Sequence, residues 1–130
     1  MKYILLLAFS FGARFTSAQN STALYNVKDF GAIADGTTLN SRAINQAIDT
    51  ITSKGGGTLF FPAGVYLSGS IRLKSNITLY LDQGAVIEAS SNVSDYDTAE
   101  PNQWAQYQDY GHSHWHNSLI WGDSIHNVSI

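Results

Sequence analysis

The chain has 130 residues, no cysteine, 44% hydrophobic residues and only 13% charged ones. That balance excludes a disordered chain, and the length allows one domain at most. Seven basic against ten acidic residues give a formal net charge of −3, which excludes the basic footprint of a nucleic-acid binder. Without cysteine there is no disulfide scaffold, no thiolate zinc site and no cysteine nucleophile.

In chain order, Lys2 precedes an apolar run from Ile4 to Phe11, and the small residues Thr16-Ser17-Ala18 follow. This is the layout of a cleaved secretory signal over residues 1–18, with Gln19 as the mature start. A membrane anchor needs about 20 apolar residues, and Arg14 interrupts this run early. Cleavage leaves five basic residues against ten acidic ones, so the expected product is a soluble, exported, acidic protein. Its binding of an anionic substrate would need a local basic cluster.

Residues 19–130 open with a β-prone run, Leu24-Tyr25-Asn26-Val27, and a turn-rich connection from Phe30 to Gly36. Asn40 and Ser41 offer N-cap oxygens ahead of Ala43, Ile44, Ala47, Ile48 and Ile51, one stripe of an amphipathic helix. Gly55-Gly56-Gly57 stops it, because glycine takes left-handed conformations without a Cβ penalty. The period then changes to that of strands: Thr58 to Phe61, Val65 to Leu73, Ile77 to Leu81 and Ala85 to Glu88. Turn signals separate them at Pro62-Ala63-Gly64, Lys74-Ser75-Asn76 and Asp82-Gln83-Gly84. Asn92 to Gly111 reads as a polar, aromatic loop. Strand character returns at Leu119-Ile120-Trp121 and Asn127-Val128-Ser129-Ile130.

Asn76-Ile77-Thr78-Leu79 and Asn127-Val128-Ser129-Ile130 share one pattern of Asn, β-branched, hydroxyl and aliphatic residues. Short strands punctuated by Asn suggest the coils of a solenoid, with Asn76 and Asn127 as candidates for a stacked ladder. A β-sandwich also has short strands at regular spacing. The strand pattern runs to Ile130 without a cap or polar tail, which favours the solenoid and the expectation that the chain is the N-terminal part of a longer protein.

The segments Val27 to Gly36, Gly55 to Tyr66 and Ile71 to Leu79, with the helix between the first two, closely resemble the N-terminal region of pectin-degrading parallel β-helix proteins. Within them the chain looks most like glycoside hydrolase family 28, the polygalacturonase and rhamnogalacturonase group. The resemblance implies an all-β solenoid, a right-handed parallel β-helix with an N-terminal capping α-helix, of which residues 19–130 would form the cap and first coils. It also implies inverting hydrolysis of pectin by aspartates in Asn-Thr-Asp and Asp-Asp motifs, aided by Gly-His-Gly and Arg-Ile-Lys motifs. The sequence contains none of these. Gly111-His112-Ser113 and Arg72-Leu73-Lys74 are partial matches in the wrong order. No catalytic residue is therefore assigned, and the aspartates are expected beyond residue 130. A pectate lyase, a rhamnogalacturonase-type enzyme and a non-catalytic polysaccharide-binding solenoid remain alternatives.

Asp95, Asp97, Glu100 and Asp109 gather in the loop and read as a solvated face rather than an acid/base pair. In an extended segment His112, His114 and His116 would project to one side, with Trp115 on the other. His112, His114, Trp115 and His116 are candidates for a sugar-binding wall, since aromatic faces stack on pyranose rings and imidazoles pair with hydroxyls or uronates. A purely structural role is the competing reading. A metal site is disfavoured, because neighbours spaced two apart on a strand lie about 6.5–7 Å apart. Asn20, Asn76, Asn92 and Asn127 begin Asn-X-Ser/Thr sequons, candidate N-glycan acceptors in an exported eukaryotic chain. The expected partner is a pectin-type polysaccharide, galacturonan or rhamnogalacturonan. No cofactor, metal or nucleic acid is expected, nor any membrane contact after signal cleavage, and the full-length protein should be monomeric.

Overall fold

The computed structural model describes residues 23–101 and 115–130. The expected signal segment and Asn20, Asp109, His112 and His114 lie outside the described residues. Among these residues no helix is long and apolar enough to cross a membrane.

The elements run β1 (Leu24–Asn26), a 3-10 turn (Val27–Phe30), α1 (Ser41–Ser53), β2 (Gly57–Phe61), β3 (Gly64–Ser68) and β4 (Ile71–Arg72). Then follow β5 (Ile77–Leu81), β6 (Ala85–Ala89), a second 3-10 turn (Val93–Asp95), β7 (Ile120–Trp121) and β8 (Val128–Ser129). All strand pairs are parallel and fall into three sheets, ordered β1-β2-β5-β8, β3-β6 and β4-β7. Two successive passes of the chain thus each lay one strand in every sheet, side by side, with β1 and β8 flanking them in the first sheet. β2, β3 and β4 form one pass; β5, β6 and β7 form the next.

Register makes the core. Along β2, Gly57, Leu59 and Phe61 are buried, and they pair with Ile77, Leu79 and Leu81 of β5. The alternate residues pair outward, Thr58 with Thr78 and Phe60 with Tyr80, whose rings stack at 5.8 Å. Period-two alternation therefore stacks like on like from pass to pass. β3 adds Tyr66, which meets Phe61 edge-on at 5.4 Å and donates its hydroxyl to the Pro62 carbonyl at 2.9 Å. The α1 stripe Ile44, Ala47, Ile48 and Ile51 is fully buried and packs on the first 3-10 turn, β2, β4 and β5.

Several local expectations are corrected. The run from Val65 to Leu73 is two strands, broken at a buried Gly69-Ser70 corner. There the Gly69 N–H donates to Ser41 Oγ at 2.7 Å, and a Cβ on Gly69 would lie 1.9 Å from the Asp95 carbonyl oxygen. Asn127 does not lie within a strand, and Asn76 ends the turn expected at 74–76. Each precedes one, at φ 63° and 55°, and Asn127 Nδ2 donates to Asn76 Oδ1 at 2.9 Å. Asparagine tolerates that left-handed conformation, so the turn and the stacked amide pair select the same residue.

Asn40 makes no side-chain cap to α1. Almost fully buried, it accepts from Ile33 N–H at 2.7 Å and donates to the carbonyls of Ile33 and Thr38 at 2.9 and 2.7 Å. It ties down the loop that Asp35 also organises, whose carboxylate accepts from the N–H groups of Thr37 and Thr38. Those donors hold the Asp35 carboxyl well below its ordinary value. Asn40→Ala is expected to cost about 2–4 kcal/mol, because buried backbone groups lose their partner. The shift in urea unfolding midpoint measures it; a loss under about 1 kcal/mol would mean that water replaces these bonds freely.

Candidate functional site

The third sheet places the residues of interest. Parallel pairing of β4 with β7 sets Arg72 beside Trp121, so both side chains leave the sheet on one face. The pairing is fixed by Ile71 N–H to the Leu119 carbonyl and Leu73 N–H to the Trp121 carbonyl, both 2.8 Å. From α1, Asn45 accepts from Arg72 N–H and donates to the Ser70 carbonyl, each at 2.8 Å. The helix thereby anchors the strand that carries Arg72.

Asp97 bridges the two strands. Its carboxylate takes both Arg72 Nε, at 2.8 Å, and Arg72 Nη2, and it also accepts from Trp121 Nε1 at 2.9 Å. The Asp97 N–H donates to Ser70 Oγ at 2.9 Å. The Arg72 hydrogen bond holds the Asp97 carboxyl below its ordinary value; partial desolvation opposes this, and the Trp121 N–H assists. The paired fork geometry suits guanidinium and carboxylate.

Beyond Trp121, the His116 ring stacks on the indole at 3.9 Å between centroids. Glu100 closes the far side. Its carboxylate accepts from Trp115 N–H at 2.8 Å and His116 N–H at 3.1 Å, and lies 3.9 Å from His116 Nδ1. Partial desolvation works to raise the Glu100 carboxyl, but the N–H groups of Glu100, Trp115 and His116, with the His116 ring beside them, outweigh it and hold it at about 2. A depressed value means that the fold favours the ionised form. The tie is complete above about pH 4.5, the ordinary value, and is lost as pH falls through about 2. The Trp115 and His116 amide resonances should therefore titrate with a midpoint near 2; a midpoint near 4.5 would refute the tie.

A pocket of about 280 Å³ opens between Trp115, His116, Trp121, Gly122, Asp123 and Glu100. A second, polar cleft of about 550 Å³ lies between α1 and the 95–97 segment, lined by Arg42, Gln46, Asp49 and Asp97 among others.

The structure brings Trp115 and His116 together in one pocket. They do not lie on an extended strand, since residues 116–117 form a turn. Asp95, Asp97 and Glu100 are not a solvated face. They are half-buried, and Asp95 accepts from the Ser90 hydroxyl. Arg72-Leu73-Lys74 serves two ion pairs, Arg72 with Asp97 and Lys74 with Asp49 at 2.6 Å. Among the sequons, Asn76, Asn92 and Asn127 are exposed. Asn76 and Asn127 share one side-chain amide hydrogen bond, whereas Asn92 Oδ1 accepts from the Ser94 N–H and hydroxyl at 3.1 and 2.8 Å. Among the described residues no group of three or more His, Asp or Glu is placed to hold a metal. The sequence names Arg72 and Asp97 separately but does not join them to each other or to Trp121, because Arg72 and Trp121 are neighbours only through strand register.

Residues 24–130 match the family model for "Rhamnogalacturonase A/epimerase, pectate lyase-like". The chain belongs to this rhamnogalacturonase A/epimerase, pectate lyase-like family. Among relatives of this pectate lyase-like chain, a Vitis vinifera protein named "Probable polygalacturonase" is 36% identical over 106 residues, covering 78% of this chain and 21% of its own length. The solved Family 28 exopolygalacturonase of Yersinia enterocolitica is 44% identical with a TM-score of 0.59, covering 75% of this chain and 16% of that one. The hyperthermoactive exopolygalacturonase of Thermotoga maritima is 28% identical with a TM-score of 0.63, over 82% of this chain and 22% of that one. The pectate lyase-like chain thus spans about a fifth of the length of these proteins.

Proposed function

We propose that this chain forms the N-terminal cap and first coils of a secreted, polygalacturonase-type glycoside hydrolase that cleaves the α-glycosidic bonds of pectin with inversion. The fold is a right-handed parallel β-helix, with α1 closing its first end. The observation that carries this reading is the 44% identity to a Family 28 exopolygalacturonase over 75% of the chain. Parallel strands laid pass upon pass, with an apolar helix face on the first of them, agree with it.

Inverting hydrolysis needs one carboxylic acid to protonate the leaving oxygen and one carboxylate to activate water, about 6.5–9.5 Å apart. The acid must hold its proton near working pH, which requires a raised value. Asp35, Asp97 and Glu100 are all pushed the other way and are spoken for by backbone, arginine or indole donors. In this proposal these carboxylates build the fold, and the catalytic pair follows residue 130.

Release of reducing ends from polygalacturonate tests the proposal. The 130-residue chain should give no turnover, and the protein extended past Ile130 should hydrolyse the polymer with an inverted anomeric product. Turnover by the 130-residue chain would overturn the placement of the catalytic pair. Inactivity of the extended protein on every pectin would overturn the hydrolase reading in favour of a polysaccharide-binding solenoid.

A further inference from the structure

We propose that the pocket between Trp115, His116 and Trp121 is a subsite for an uncharged pyranose ring, and that it discriminates against a free uronate. Its walls are aromatic. Trp115 is 58% exposed, so its indole is not committed to the core, and the stacked His116–Trp121 pair forms a second aromatic wall. Such faces suit the C–H-rich side of a sugar ring.

Charge decides which sugar. Glu100 and Asp123 line the pocket, and among the described residues no Lys or Arg does. Asp123 can accept hydrogen bonds from sugar hydroxyls, whereas Glu100, already held by the Trp115 and His116 N–H groups, contributes its charge. A uronate would instead bring a third negative charge into a concave, partly desolvated site, where like charges repel more strongly than in open water. Two described basic residues, on β4 and just after it, are engaged elsewhere. Arg72 is bound through two nitrogens to Asp97, and Lys74 to Asp49. His116 turns Nδ1 toward Glu100 and its ring face toward Trp121. The site therefore selects for hydroxyls and against carboxylates, a neutral sugar or a methyl-esterified uronate.

The inference rests on the pectin reading only for its choice of glycans, and it is read by binding rather than turnover. Isothermal titration of the 130-residue chain would compare free oligogalacturonate, its fully methyl-esterified form and a neutral galactan oligomer of equal length. The esterified form is expected to bind about three- to tenfold more tightly than the free acid. Binding of the galactan as well would assign the site to neutral rings in general; its absence would confine the site to the esterified uronate. Trp115→Ala should weaken the preferred glycan about tenfold, and Asp123→Asn should narrow the ratio between esterified and free forms. Equal or tighter binding of the free acid, no effect of Trp115→Ala, or no binding of any glycan would overturn the inference. None of these outcomes depends on hydrolysis, so failure of the hydrolase reading would show separately as missing turnover by the extended protein.

Discussion

Gly56→Ala is expected to destabilise the fold by about 3–5 kcal/mol, well beyond an ordinary surface glycine substitution. Gly56 stands at φ 110°, and a Cβ there would come 2.4 Å from the carbonyl oxygen of Asn76 and 2.6 Å from its Cβ. That carbonyl cannot retreat, because it accepts from Gly57 N–H at 3.0 Å and starts the β2–β5 ladder. Gly55 is the internal control. It has a comparable φ of 99° but nothing within 4 Å of its Cβ position. Gly55→Ala should thus show backbone strain alone, about 1–2 kcal/mol. Urea denaturation of the two variants separates strain from the close approach of successive passes. Equal losses would mean that the two passes do not meet at Asn76 as described.

Phe61→Ala should cost about 3–5 kcal/mol, the range for a large aromatic removed from a packed core. Phe61 is fully buried at the end of the inward row of β2, and its loss also removes the edge contact that seats Tyr66. Its neighbour Phe60 faces outward, half-buried on Tyr80. Phe60→Ala should cost only about 1 kcal/mol, the worth of a cross-strand aromatic pair. Thermal or urea unfolding reads both. A reversed order would place the wrong face of β2 inward.

These two tests mark how much could be read from the sequence. Alternation in Ile77 to Leu81 reported which residues point inward, because side chains on a strand alternate whatever its partners, whereas Phe60 and Phe61, both apolar, left the inward face of β2 open. The α1 stripe was equally legible, and Gly55-Gly56-Gly57 announced the stop. Resemblance supplied the family, which residues 24–130 show. Legibility failed where two residue types serve more than one purpose. Asn40 looked like a helix cap because Asn is a good one, yet burial recruited its amide to a loop several residues upstream. Val65 to Leu73 looked like one strand because its β-prone residues run on both sides of Ser68-Gly69-Ser70, whose corner packs against Ser41 and Asp95.

The candidate site was half visible. Composition drew attention to Trp115 and His116, but nothing local linked them to Glu100, or linked Arg72 to Asp97 and Trp121. Those links depend on the parallel register of β4 and β7, which joins residues 71–72 to residues 120–121. Opposite charges and an indole N–H can be recognised as partners only once that register puts them within about 3 Å.

The sequence by itself determined the local quantities: a helix with one apolar face, short alternating strands, an acidic balance and turns that need Gly or Asn. Only the tertiary structure decided which passes lie side by side, why Gly56 and Gly69 admit no side chain, and that Asp97 joins Arg72 to Trp121. The physical reason is range. Propensity and alternation act between residues a few positions apart, whereas close approach, ion pairing and ring stacking depend on distances that exist only after the parallel passes have come together.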